Sequence, residues 1–238
     1  MERLMKHVII RIVAFLSLFT ITVAGYGQEE NTDKKLTVEV GADLVSTYVW
    51  RGMYQTGASI QPALSLSAYG ITIGAWGSTD FSTYAKEVDF LLSYRVKGFS
   101  AGIADYWWRG EHAPYFTECG SHHLEASLGY TFSEKIPLTL EANMILTGDE
   151  DKNEKGKKFY STYISAGFPF SIKNTEWEAG IGISPWKGMY GNHFNVVAIN
   201  AKVTKNLSLS TEYALPVFVE LIFSPAQNNA FLVFGIRL

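Results

Sequence analysis

The chain has little cysteine and little charge. Cys119 is its one cysteine in 238 residues, so neither an internal disulfide nor a thiolate metal cluster can form. Charged residues make up 18% of the chain and the formal net charge is −3, which leaves no basic surface of the kind that nucleic-acid-binding proteins need. Apolar residues also fail to recur at every third or fourth position among helix formers, so a helical fold is disfavoured.

The longest apolar run lies at the N-terminus. Arg3 and Lys6 precede the stretch VIIRIVAFLSLFTITVA, and small residues follow it before Gln28. A charged segment, an apolar segment and a small-residue cleavage site are typical of a signal peptide. We therefore expect a signal peptide over residues 1–27, a short periplasmic lead-in over 28–35 and one barrel domain over 36–238.

Most of the remaining chain alternates apolar and small polar residues, which indicates β-strands. Short connections such as YG and VKGF alternate with long ones such as RGEHAPYFTECGS and TGDEDKNEKGKK. The segments have the roughly 9–11 residues that a tilted strand needs to cross a bilayer. We predict an all-β fold, a transmembrane antiparallel β-barrel of about 12 strands with short periplasmic turns and longer extracellular loops. The predicted strands cover 36–50, 59–69, 71–81, 86–96, 99–108, 122–132, 138–146, 160–170, 177–186, 193–204, 207–217 and 229–238.

Aromatic residues gather at both ends of the predicted strands. Such rings form girdles at the two interfaces of a bilayer, so we expect outer-membrane lipids as partners and the bacterial outer membrane as the location. Beside the short turns lie Phe99, Tyr130, Phe132, Phe168, Phe170 and Trp177, and beside the long loops lie Tyr48, Trp50, Trp107, Trp108, Tyr160 and Trp186.

One stretch carries a family resemblance. Its pattern is Ser46, Tyr48, Arg51-Gly52 and Gln55, then Pro62-Ala63, GAWGS from Gly74 and EVDF from Glu87. Over about residues 40–95 the sequence resembles the TorF family of small bacterial outer-membrane porins. The resemblance implies a small barrel for passive transport and supplies no catalytic residues.

Charged residues of the strands fall on the face opposite the apolar set, so we predict that they line a pore. An acidic lining raises the local concentration of cations, so the predicted function is a porin-like passive channel for small solutes with a preference for cations. The alternative is that these charges form a hydrogen-bonded plug. The predicted lining residues are Glu39, Asp43, Glu87, Asp89, Glu125, Glu141, Glu178 and Glu212 with the bases Arg95, Lys202 and Arg237.

Arg51 and Gln55 fall in the first long loop, and we place them at the pore mouth. Arg51 is expected to pair with Asp80 or Glu87, to bind lipopolysaccharide phosphates, or to pin its loop.

Two motifs raise other functions. SHHLE, residues 121–125, holds Ser, His and Glu, as an outer-membrane lipid hydrolase would need, but neighbours on a strand point to opposite faces, so His122 and His123 cannot serve one site. Residues 148–158 carry Asp149, Asp151 and Asn153 but lack the glycine and glutamate positions of a calcium loop, which favours a solvated outer loop. We therefore expect no enzyme, cofactor or metal. The alternatives are the lipid hydrolase and a closed barrel that binds a partner through its outer loops, and the oligomeric state stays open.

Overall fold

The computed structural model describes residues 36–83, 86–108, 122–133, 135–211 and 213–238. Within these ranges the chain is built almost wholly of β-strands joined by turns and loops. The strands are β1 (Thr37–Val45), β2 (Tyr48–Trp50), β3 (Met53–Thr56), β4 (Ser59–Ala68), β5 (Ile71–Asp80), β6 (Lys86–Val96), β7 (Phe99–Trp108), β8 (His122–Thr131), β9 (Thr139–Ile145), β10 (Thr162–Ile172), β11 (Thr175–Ser184), β12 (Asn195–Ser208), β13 (Ala214–Ser224) and β14 (Asn229–Arg237).

Twelve of these strands close into an antiparallel barrel, which confirms the predicted fold. The strands from β4 to β14 pair in sequence order, and β1 closes the ring by pairing with both β4 and β14. The remaining two, β2 and β3, form a separate two-stranded sheet. No helix in the described ranges is long and apolar enough to cross a bilayer.

The outer wall of the barrel is apolar. Val40 and Leu128 are each 67% exposed, and Leu232 and Phe234 on β14 are each 53% exposed. Side chains of a strand alternate between two faces, so every second residue of these strands points inward. Asp43 on β1 and Glu125 on β8 are among the inward residues. An apolar exterior around a polar interior is the arrangement of transmembrane barrels.

The two ends of the barrel differ in their connections. At the short-turn end, β4–β5 and β6–β7 are joined by two-residue turns in which Tyr69-Gly70 and Lys97-Gly98 all have positive φ. Such turns match the twist of paired strands, and glycine adopts this conformation without steric cost. At the long-loop end lie residues 46–58, 146–161 and 185–194. The predicted sorting of short turns and long loops is thus confirmed for these connections.

Aromatic rings gather outside the barrel at the short-turn end, as predicted. The Phe99 and Tyr130 ring centroids are 4.5 Å apart, and Phe170 and Trp177 are stacked at 6.1 Å. At the long-loop end the expected girdle is wrong in part. Tyr48 and Trp50 pack inside the barrel, where Trp50 contacts Trp108.

Two predicted strands differ from the observed ones. The expected strand over 36–50 ends at Val45, because the chain then turns into the barrel. The expected strand over 207–217 and the long connection after it are also wrong, since β13 occupies Ala214–Ser224 and only Pro225–Gln227 and Asn228 separate it from β14. Apolar residues occupy both faces of β13, with Phe218 inside and Leu221 outside, so alternation gives little signal there.

Candidate functional site

The first long connection folds into the lumen. We call residues 46–58, which contain the β2–β3 hairpin, the plug. Its turn, Arg51-Gly52, has positive φ at both residues. A Cβ at Gly52 would lie 2.5 Å from the Val197 carbonyl oxygen and 3.1 Å from the Ser224 Cβ, so the tip of the plug abuts β12 and β13. The expected outer loop is therefore an internal element.

Two packed clusters surround the plug. Trp50 lies against Tyr106, Trp108 and Tyr190, at centroid distances of 5.8, 5.5 and 6.0 Å. Val49 packs with aliphatic residues of the opposite wall, among them Ile222 and Val233. The sequence analysis did not predict Tyr106 and Tyr163 as part of the site. The alternation of side chains along β7 and β10 could have placed both rings on the inner face.

Arg51 crosses the lumen to β8. Its two terminal nitrogens donate to the two carboxylate oxygens of Glu125, at 2.6 and 2.8 Å, and one also donates to the Tyr190 hydroxyl. The guanidinium lies 4.5 Å from the Trp50 ring centroid and 4.7 Å from that of Tyr163. Burial raises the pKa of the Tyr190 hydroxyl, which keeps this phenol neutral beside the ion pair.

Of the roles expected for Arg51, pinning its loop is confirmed by the bonds to Glu125 and Tyr190, whereas pairing with Asp80 or Glu87 is wrong. Asp80 instead accepts hydrogen bonds from the Ser82 hydroxyl and from Thr83 within its own loop. The turn of the plug carries the guanidinium away from β5 and β6, where Asp80 and Glu87 lie, and towards β8. Gln55, the other predicted mouth residue, is exposed and donates to the Met53 carbonyl at 3.3 Å.

Glu87 and Asp89 lie side by side on the inner face of β6, below β2. The Trp108 indole donates to Glu87 at 2.6 Å, and the Tyr48 hydroxyl lies close to this carboxyl. Asp89 is 1% exposed and lies against Glu87 and the backbone of Trp107. In the described part of the chain, no lysine or arginine forms an ion pair with either acid.

The rest of the predicted lining faces the lumen wherever the structure describes it. Arg237 pairs with Asp43 at 3.0 Å across the β1–β14 seam. Lys202 lies between Glu178 and Glu220 in the strand register and 4.0 Å above the Phe218 ring. Glu39 and Glu141 are half-buried on inner faces, Arg95 is exposed near the short-turn end, and Glu212 lies outside the described residues.

Glu220 is a lumen acid that the sequence analysis missed, because its strand was read as a loop. It accepts a hydrogen bond from Asn200 at 2.9 Å. With Glu220 and Arg51 included, the predicted lining that the structure describes comprises eight acids and four bases, and Asp80 and Glu176 also lie on inner faces of the wall.

The loops 146–161 and 185–194 bond to each other, and the second packs against the plug through Tyr190. Asp151 accepts hydrogen bonds from the backbone of Tyr160 and Ser161, at 2.8 and 3.1 Å, and the Ser161 hydroxyl in turn accepts from the Met189 backbone at 2.7 Å. The expectation of a solvated loop is confirmed for residues 154–157 but wrong for Asp151, which is buried. Lys152 bonds to Asp149 and lowers the pKa of that exposed carboxyl.

The two histidines of SHHLE occupy opposite faces, as predicted. His122 lies on the outer face with its Nδ1 2.9 Å from an Asp105 oxygen. His123 is buried in the lumen, 4.2 Å from the Trp108 ring. In the part of the chain that the structure describes, no group of three or more His, Cys, Asp or Glu is placed to hold a metal ion.

A scan against protein-family models and a search of curated proteins both return no match for this chain.

Proposed function

We propose that this protein is a passive outer-membrane channel for small solutes, that its lumen favours cations, and that the plug closes it at rest. One observation carries the proposal. The β2–β3 hairpin that fills the lumen forms its own two-stranded sheet, and the plug is hydrogen-bonded to the barrel backbone at its two ends, where Ser46 bonds to Phe234 and the Ala58 carbonyl accepts from Phe81 at 3.0 Å. The hairpin between these ends can therefore leave the lumen without breaking the wall.

The membrane location is supported by the outer wall. A ring of exposed leucine, isoleucine, valine and phenylalanine side chains would be unfavourable in water and favourable in lipid. The aromatic band of Phe99, Tyr130, Phe170 and Trp177 at the short-turn end fits a bilayer interface. The predicted signal peptide agrees with export across the inner membrane.

A conducting function is supported by the charge balance of the lumen. Eight acids and four bases leave a negative surplus, and a dry interior cannot hold such a surplus without protonating some of the acids. A barrel whose inside had only to be filled would be more stable with apolar side chains there. Polar and charged lumen positions are what a water-filled pathway requires.

The test replaces the plug. Val45 and Ser59 are register partners on β1 and β4, so a short Gly-Ser turn can join them in place of residues 46–58. We expect the purified wild-type chain to give rare, brief openings in a planar bilayer, and the variant without the plug to conduct steadily. As a matched control, deletion of the exposed residues 154–157 should leave the wild-type pattern unchanged.

A folded but silent variant would contradict the channel. That result would instead favour a closed barrel that binds a partner through its outer loops. Folding is checked independently on a gel, because an intact barrel migrates to a different position before heating than after it.

A further inference from the structure

Glu87 and Asp89 form a pair of acids at the point where the plug meets the wall, with Asp89 buried at 1% exposure and Glu87 half-buried beside it. They are two residues apart on β6, so both project into the lumen. Tyr48 of the plug lies beside Glu87 and packs against Trp76 with ring centroids 5.4 Å apart. The acid pair therefore touches the movable element directly.

The neighbours of this pair supply little positive charge. From β5, Trp76 and Ser78 lie opposite the two acids in the strand register. From β7, Trp108 and Tyr106 face the pair, and Asp105 lies on the other face of that strand. From β8 come Glu125 and, against Trp108, His123. From the plug come Tyr48 and Arg51, and Arg51 is engaged by Glu125.

Two adjacent carboxylates in such a setting cannot both be ionised without a large penalty. Burial disfavours each charge, and each charge disfavours the other. Neither oxygen of Asp89 has accessible surface or accepts a full hydrogen bond from the described residues.

We propose that Glu87 and Asp89 share one proton while the plug is seated, and that loss of this proton to water unseats the plug. The inference rests on the proposed channel function, whose regulation it supplies. With the proton bound, one carboxyl donates to the other and the Tyr48 hydroxyl stays beside Glu87. Once both are ionised, their repulsion and their need for water favour the state in which the plug has left and the lumen is wet.

The direction of the pH dependence follows from proton counting. The seated state binds one more proton than the open state, in which hydrated carboxyls titrate near their usual value of about 4. The open-to-closed ratio should therefore rise with pH, by up to about tenfold per pH unit, above that value. At higher pH the dependence should level off, when the seated pair has lost its proton as well.

The experiment compares four chains in planar bilayers at constant salt from pH 5 to pH 9. Three of them are full-length and the fourth lacks the plug. The open fraction of the wild type should rise with pH, while the Glu87→Gln/Asp89→Asn variant, which cannot ionise at this site, should remain closed throughout. The His123→Gln variant should keep the wild-type pH profile. The variant without the plug should conduct equally at every pH.

The outcomes separate the two proposals. A silent plug-lacking variant overturns the channel itself. A conducting plug-lacking variant together with a wild type that ignores pH overturns the shared proton alone. A Glu87→Gln/Asp89→Asn variant that retains the pH dependence, or a His123→Gln variant that loses it, also overturns the assignment to this pair.

A second measurement follows the plug without relying on conductance. Met53 packs against the buried aromatic cluster, so a cysteine placed there is shielded while the plug is seated. In a Cys119→Ser background, Met53→Cys should react faster with a water-soluble maleimide as pH rises. Because thiols ionise over the same pH range, each labelling rate is first divided by the rate of a free thiol at that pH. With Glu87→Gln/Asp89→Asn added, the corrected rate should stay constant, and a rise there would contradict the proposal.

Discussion

Arg51 connects the plug to three separate parts of the barrel. It reaches Glu125 on β8, Tyr163 on β10 and Tyr190 in the 185–194 loop. A planar guanidinium suits this position because its fork matches a carboxylate while its faces lie on aromatic rings. The lysine ammonium is a point charge without a planar face to lie on aromatic rings, so lysine is a poor substitute here.

Arg51→Ala should unseat the plug. The change leaves Glu125 buried with the Tyr106 hydroxyl, which donates at 2.7 Å, but without its cation. Loss of one partner of a buried ion pair costs about 3–5 kcal/mol, so the open-to-closed ratio should rise on the order of a hundredfold or more. The Met53→Cys labelling rate measures this, and Gln55→Ala, at an exposed position of the same hairpin, should leave it unchanged.

A second substitution tests the reason for this effect. Arg51→Ala/Glu125→Gln removes the uncompensated charge, so it should label more slowly than Arg51→Ala alone. If Arg51→Ala labels no faster than the wild type, ring packing by Trp50 and Val49 is sufficient to seat the plug.

At the scale of elements, the wall of β10 and β11 is shaped to receive the plug. Gly182 on β11 lies beneath the Tyr163 ring, and a Cβ there would collide with the ring's hydroxyl and Cζ. The register of β11 and β12 also shifts between Gly182 and Ile183. A glycine at this point lets an aromatic side chain lie flat against the backbone, where it supports one face of the Arg51 guanidinium.

Gly182→Ala should therefore destabilise the barrel. The added methyl group forces Tyr163 out of its place, and such overpacking costs about 1–3 kcal/mol. The denaturant midpoint in detergent should fall with little change in the slope of the transition. Gly57→Ala is the matched control, since a Cβ there would meet its nearest neighbour at 3.8 Å. Equal midpoints for the two variants would show that the ring moves freely.

The sequence predicts the elements where one face of a strand is apolar and the other is polar. Asp89 and Arg237 were placed correctly inside on that basis, and the short turns followed from their glycine residues. Alternation fails on β13, where Phe218 and Ile222 make the inner face as apolar as the outer one. Glu220 was lost with that strand.

The plug could not be predicted from local pattern. Tyr48 and Trp50 are the residue types that form a membrane girdle, and they are equally suited to a buried core. What decides between the two is the position of the turn at Arg51-Gly52, and Arg51 finds Glu125 across 74 residues of sequence. Contacts at that separation carry no periodic signal in a single chain.

At the scale of the whole molecule, the lumen charges divide into two sets. One set lies on the wall where the plug is seated and includes Glu87, Asp89 and Glu125. The other lies elsewhere on the inner faces of the wall, and it contains Glu39, Glu141 and Glu178 with Lys202. Ion selectivity should therefore be measured on the plug-lacking variant, where both sets face water.

That variant should prefer cations, and most strongly in dilute salt. Wall carboxylates give the lumen a negative potential that mobile ions screen, over about 10 Å at 0.1 M salt and about 3 Å at 1 M. The reversal potential under a salt gradient should accordingly favour cations and shrink as total salt rises. Glu39→Gln/Glu141→Gln should move it towards zero, whereas Glu150→Gln/Glu154→Gln, at exposed positions of the 146–161 loop, should change it little. A reversal potential that favours anions before any substitution would show that Lys202, Arg95 and Arg237 dominate the pathway, and the acidic lining would then serve the closed state alone.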